Sequence, residues 1–167
     1  MSIESLHFEP GDETEQQLLG ARMASVFAAG VIIFLQGELG AGKTTLVRGF
    51  LRGLGYRGNV KSPTYTLIEP YLIDHHTICH LDLYRLADAD ELEYLGVRDL
   101  LAEQATLLIE WPERGEGALP SPDLRIDIRY LEQGRSLTVS AESSVGAHQL
   151  THLKALLQSG KAGSADI

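Results

Sequence analysis

Gly37-Glu38-Leu39-Gly40-Ala41-Gly42-Lys43-Thr44 is the stretch on which the reading of this chain turns. Its spacing, Gly-x-x-x-x-Gly-Lys-Thr, is that of a phosphate-binding loop, and each fixed position has a physical reason. Gly37, Gly40 and Gly42 allow backbone angles closed to other residues, so that successive N–H groups can close around phosphate oxygens. Lys43 brings a compact positive charge to the β- and γ-phosphates. The Thr44 hydroxyl is a hard oxygen ligand for Mg²⁺. The candidate nucleotide-binding set from this stretch is Gly37, Gly40, Ala41, Gly42, Lys43, Thr44 and Thr45.

Such a loop has meaning only between a strand and a helix. Val31–Leu35 is a short apolar run rich in β-branched residues, as a buried parallel strand requires. Beyond the loop, Leu46, Val47, Phe50, Leu51 and Leu54 recur at helical spacing, with Gly55 at the expected C-cap.

The 167 residues suit one α/β domain, expected over 1–157, with 158–167 read as a disordered tail. A hydrophobic fraction of 44% with 22% charged residues is ordinary for a globular chain. No apolar run reaches the roughly 18 residues that would span a membrane. The start, Met1-Ser2-Ile3-Glu4, lacks the pattern of a signal peptide, and the single cysteine, Cys79, fits a reducing cytoplasm. A net charge of −9 argues against broad binding to DNA or RNA, which needs basic surface to displace counterions.

Outside the loop, Leu6 and Phe8 predict a short opening strand. Thr14-Glu15-Gln16-Gln17 predicts a capping box with Thr14 at the N-cap, and Gly30 is the expected end of that helix. Tyr65–Leu72 and Thr77–Tyr84 predict an antiparallel hairpin, as do Leu124–Leu131 and Arg135–Ala141. Short helical turns are expected near 88–96 and 99–103, and a closing helix over 148–157.

Three further stretches carry candidate chemistry. Thr64, in Lys61-Ser62-Pro63-Thr64, is either a switch residue that senses the γ-phosphate or part of a Ser-Pro turn. The run Asp74 to His80 has zinc-ligand residue types without zinc spacing, since strand alternation separates Cys79 from His80. Alternation places His80, Asp82 and Tyr84 on one face, so Asp82 either serves Mg²⁺ or water, or caps the following turn. Thr106–Trp111 is a second buried strand, and Glu110 stands at its C-terminal edge, where open α/β sheets bind ligands. This has the logic of a Walker B carboxylate. Trp111 is either a core aromatic or part of the loop beside the site.

Taken in order, Gly37–Thr45, Lys61–Tyr65, His80-Leu-Asp-Leu-Tyr-Arg85 and Ile109-Glu-Trp-Pro-Glu-Arg-Gly115 resemble the bacterial TsaE (YjeE) family over about residues 6–141. That resemblance implies a cytoplasmic single-domain P-loop ATPase, α/β, with a mainly parallel central sheet, flanking antiparallel strands and helices on both faces. It implies ATP or ADP and Mg²⁺ as cofactors, and a supporting role in forming threonylcarbamoyladenosine in tRNA. The implied partner is the TsaB–TsaD transferase pair, through which tRNA would be contacted indirectly. Thr44, Glu110 and Asp82 would serve the metal, and Lys43, Asp82 and Glu110 the reaction. Further nucleotide contacts would come from Glu13, Thr14, Thr64 and Arg135. Two other readings share the same loop: a small-molecule kinase, and a nucleotide-dependent switch with little hydrolysis.

Overall fold

The computed structural model describes residues 4–27 and 29–164. Met1 to Ile3, on which the signal-peptide expectation rests, and 165–167 of the expected tail lie outside the described residues. The element order is β1 (Ser5–Phe8), α1 (Glu13–Val26), β2 (Ile32–Gln36), α2 (Lys43–Gly53), β3 (Ile68–Ile73) and β4 (His76–Asp82). There follow α3 (Glu91–Tyr94), α4 (Val97–Ala102), β5 (Thr106–Glu110), a 3₁₀ turn (Pro112–Gly115), β6 (Leu124–Tyr130), β7 (Arg135–Ala141) and α5 (Ser144–Ser164).

The strands form one sheet in the order β1-β7-β6-β2-β5-β4-β3. Its four central strands, β6, β2, β5 and β4, run parallel. The hairpins β3–β4 and β6–β7, and β1 on β7, add the antiparallel flanks. Both hairpins form, but the first begins at Ile68 rather than Tyr65, where Leu67 takes φ of 69°, and ends at Asp82 rather than Tyr84; Asp74 and His75 close it with positive φ of 49° and 66°.

The central strands β2, β5 and β4 are largely buried on both faces while β6 is buried on one, and their alternation divides the interior in two. Ile33 and Leu35 of β2 and Leu108 of β5 pack under α1, α2 and α5. Phe34, Leu107 and Ile109 point the other way, with Cys79 and Leu81 of β4, toward Leu92 and Val97 of α3 and α4. Each layer removes a set of branched side chains from water, worth about 1.5–3 kcal/mol for each fully buried one.

Three local expectations change. The N-cap of α1 is Asp12, not Thr14: Asp12 Oδ1 accepts from Glu15 N at 2.8 Å, and Glu15 Oε2 accepts from Gly11 N at 2.6 Å. Asp and Glu complete the box two residues earlier, and an ionised carboxylate is the stronger acceptor at a helix start. Secondly, α1 ends at Val26 with Phe27 as its C-cap, and Gly30 (φ 80°) sits in the turn beyond. Finally, α5 spans Ser144–Ser164 rather than 148–157, and so takes in most of the segment expected to be a tail. Its start is fixed by Ser143, whose hydroxyl accepts from Gly146 N at 3.0 Å and donates to Asp123.

Candidate functional site

The C-terminal edges of β2, β5 and β4 bring the site together. Parallel register sets Leu35 beside Glu110 and Glu110 beside Asp82, so the two carboxylates stand on neighbouring strands just below the Gly37–Thr44 loop. A cleft of about 450 Å³ opens there. Among its lining residues are Gly40, Gly42, Lys43, Thr44, Thr45, Thr64, Asp82 and Glu110.

The loop is held from three sides. Gly40 and Gly42 take φ of 79° and 104°, and Gly42 is the N-cap of α2. A side chain at Gly42 would strike the Gln16 amide, which donates from α1 to the Gly42 carbonyl at 2.7 Å. From the opposite flank, the Tyr130 hydroxyl donates to Leu39 O at 2.5 Å and Arg135 Nε donates to Ala41 O at 3.2 Å. Gly37 abuts the Ile128 carbonyl, leaving no space for a side chain. A loop fixed in this way needs little ordering to receive a ligand.

Lys43 is only 4% exposed. Its ammonium donates to Gly37 O at 2.5 Å and Glu38 O at 3.0 Å, and lies 4.4 Å from the centre of the Trp111 ring. Burial pushes Lys43 below its ordinary 10.5, while Glu110, Asp82 and Glu113 pull it back up. Trp111 holds this place with a left-handed backbone (φ 56°) directly after β5, its ring 5.0 Å from that of Tyr84. It is thus part of the site as well as packed against the second core layer.

Thr44 Oγ1 donates to Glu110 Oε2 at 3.0 Å, and His80 Nε2 meets the same oxygen at 2.5 Å. Asp82 is bonded differently. Its Oδ1 accepts from Tyr84 N at 3.0 Å, the turn-capping contact. Its Oδ2 accepts from Ser62 and, at 3.4 Å, from Thr64. Thr64 therefore belongs to the site and is tied to a carboxylate in it.

Among the described residues no three His, Cys, Asp or Glu side chains converge as a metal cage. Mg²⁺ needs no such cage: it is held by one or two carboxylates with phosphate and water oxygens. The Thr44 hydroxyl and the Glu110 carboxylate, 3.0 Å apart on the cleft wall, are hard oxygen donors of that type.

Of the other predicted residues, Glu13 lines the cleft, while Thr14 is exposed on α1 and does not. Arg135 supports the loop from outside and is not a lining residue. Sequence reasoning missed Gln16, Ser62 and His80 as parts of the site. Ser62 and His80 stood inside motifs already singled out, His80 on the face of Asp82; the contacts of Gln16 with Gly42 and of His80 with Glu110 join elements far apart in the chain.

Comparison with known proteins agrees with this arrangement. The family model described as "Threonylcarbamoyl adenosine biosynthesis protein TsaE" matches residues 11–137. The tRNA threonylcarbamoyladenosine biosynthesis protein TsaE of Haemophilus influenzae is 44% identical over 149 residues, covering 86% of this chain and 94% of the relative. The TsaE of Streptomyces coelicolor is 42% identical over 113 residues, covering 66% and 76%. The crystal structure of Bacillus subtilis YdiB superposes with a TM-score of 0.79 at 27% identity, covering 92% of this chain and 97% of that one. Motif order, sheet topology and these similarities all lead to one assignment: the chain belongs to the TsaE family of tRNA threonylcarbamoyladenosine biosynthesis proteins.

Proposed function

We propose that the chain is a Mg²⁺-dependent ATPase that works in the cytoplasm with the TsaB–TsaD pair during threonylcarbamoyladenosine formation in tRNA. One observation carries this reading: Lys43, Thr44, Glu110 and Asp82 meet in one cleft at the C-terminal edge of three parallel strands. The N–H groups of the loop and the start of α2 receive phosphate oxygens, and Lys43 leaves its two carbonyl acceptors for the β- and γ-phosphates. Thr44 and Glu110 hold Mg²⁺, which when bound neutralises charge on the phosphates.

Asp82 has a different part. Both of its oxygens already accept hydrogen bonds, so it links the 61–64 segment to the metal side of the cleft. Movement of the 61–64 segment toward a γ-phosphate, carrying both Ser62 and Thr64 away, would free Asp82 Oδ2 to orient a water, which couples nucleotide state to the segment.

Lys43→Ala tests the reading. The lysine lies against Trp111, the chain's one tryptophan, so calorimetry and indole fluorescence report the same event. The native chain is expected to bind ATP with a change in Trp111 emission. A folded Lys43→Ala variant should lose most of that affinity. Native-like ATP binding by the variant would refute the assignment of the loop. Release of free phosphate, rather than phosphate transferred to a small acceptor, separates the ATPase from a kinase.

A further inference from the structure

His80 lies on β4, two residues before Asp82 and on the same face, and has no exposure to solvent. Its Nε2 is 2.5 Å from Glu110 Oε2, and its Nδ1 is buried with no hydrogen-bond partner. A wholly buried imidazole with one committed nitrogen and one idle one is a poor way to fill a core, where a leucine would pack without a polar cost.

The idle nitrogen settles which way the ring acts. A proton on Nδ1 would be a buried donor without an acceptor, the more costly kind of orphan. With the proton on Nε2, His80 donates to Glu110, and only a lone pair at Nδ1 goes unused. Glu110 Oε2 then accepts two hydrogen bonds, from His80 and from Thr44. Its Oε1 takes none among the described residues. The two donors sit on different elements, β4 and α2, and together they fix the plane of the carboxylate.

We propose that His80 is a positioning residue for Glu110: its Nε2–H holds the carboxylate so that Oε1 and the Thr44 hydroxyl face the metal position in the cleft. The inference rests on the nucleotide-and-Mg²⁺ reading above and adds a residue to it. Thr44 cannot do this alone, because a single hydroxyl bond leaves the carboxylate free to turn about it. The second donor, from β4, removes that freedom while the Thr44 lone pairs stay available to the metal. Partners of this kind behind a metal ligand are typically worth about 10–100-fold in metal affinity.

Two measurements test the role. In the metal-free chain, long-range ¹H–¹⁵N spectra should show His80 as the Nε2–H tautomer; the Nδ1–H tautomer would overturn the proposal. The second is ADP affinity by calorimetry across a Mg²⁺ series and in excess EDTA. For His80→Leu, affinity in EDTA should stay within about twofold of native, while the Mg²⁺ midpoint rises about 10–100-fold. His80→Gln, whose amide can donate from near the Nε2 position, should recover most of that shift. His80→Asn, which stops short of Glu110, should not, and it also serves where the leucine variant does not fold. An unchanged midpoint in the folded Leu or Asn variant refutes the role. So does equal loss in EDTA and in Mg²⁺, or a Gln variant no better than Asn. A native chain that bound ADP without any Mg²⁺ dependence would instead refute the Mg²⁺ part of the proposed function, and this inference with it.

Discussion

Lys43 and Cys79 show how differently two buried groups are treated in the same molecule. The lysine keeps two carbonyls, an aromatic face and nearby carboxylates around its charge, which offset only part of the cost of burial and leave it below its ordinary 10.5. Cys79, wholly buried in the layer beneath α3 and α4, has nothing to support a thiolate. Burial, aided by Glu103, pushes its thiol from the ordinary 9.0 up to about 11. The folded chain thus holds this proton more tightly than the unfolded one. That contribution to stability is complete below pH 9 and is lost as pH rises through about 11. The urea midpoint is expected to fall between pH 8 and pH 10.5, and to fall less in Cys79→Ala. Thiol reagents at pH 8 should label the native chain only at the rate of opening. Rapid labelling of the folded protein would show that the thiol is accessible.

At the scale of elements, the joint between α1 and α2 is the least legible in the sequence and among the most consequential. Gly20 on α1 and Gly49 and Gly53 on α2 bring the two backbones into direct contact. A side chain at Gly20 would come within 2.9 Å of Phe50 N, one at Gly53 within 2.7 Å of Ala21 Cα, and one at Gly49 would overlap the Gln17 carbonyl. Read singly, these glycines are only weak helix residues; as a set they allow the close crossing that seats Gln16 on the Gly42 carbonyl. Gly49→Val should therefore cost about 3 kcal/mol by overpacking, more than any gain in helix propensity returns. Chemical denaturation measures this directly. A native-like midpoint would mean that the helices separate freely, and the support of the loop by Gln16 would then carry no weight. The elements themselves were legible where spacing is set by one backbone: the loop, the strand before it, both hairpins and the Glu110 strand. What depends on register between strands was not. His80 reaches Glu110 only because β4 and β5 pair with Asp82 beside Glu110, a fact that neither strand carries by itself. The Asp12 cap was hidden by an overlapping Thr-x-x-Gln pattern, and contact between Arg135 and the loop by the long path from β2 to β7.

The whole molecule places its chemistry on one open side. Leu39 and Tyr65 stand 61% and 83% exposed at the rim of the cleft, large side chains left mostly in contact with solvent. The arginines nearest the cleft are engaged with aromatic rings: Arg85 lies 4.5 Å from the centre of Tyr65, and Arg114 lies 5.6 Å from that of Tyr84. Arg85 lines the cleft, yet among the described residues neither arginine donates a hydrogen bond to the loop. A site with a lysine, a hydroxyl and two carboxylates, but with its nearby arginines held on aromatic rings, should bind ATP well and hydrolyse it slowly. A protein docking over Leu39 and Tyr65 would bury that rim and could draw Arg85 inward, or supply an arginine of its own. Either change is worth roughly 10³–10⁵ in rate where it has been made in phosphoryl transfer. Steady-state phosphate release should accordingly be slow for the purified chain and rise steeply when TsaB–TsaD is added. Tyr65→Ala should weaken that response while leaving ATP affinity close to native, because Tyr65 is not among the residues that line the cleft. A fast rate in the absence of partners, unaltered by their addition, would show that the site is complete as it stands. Equal activation of the Tyr65 variant would move the docking surface to another face of the sheet.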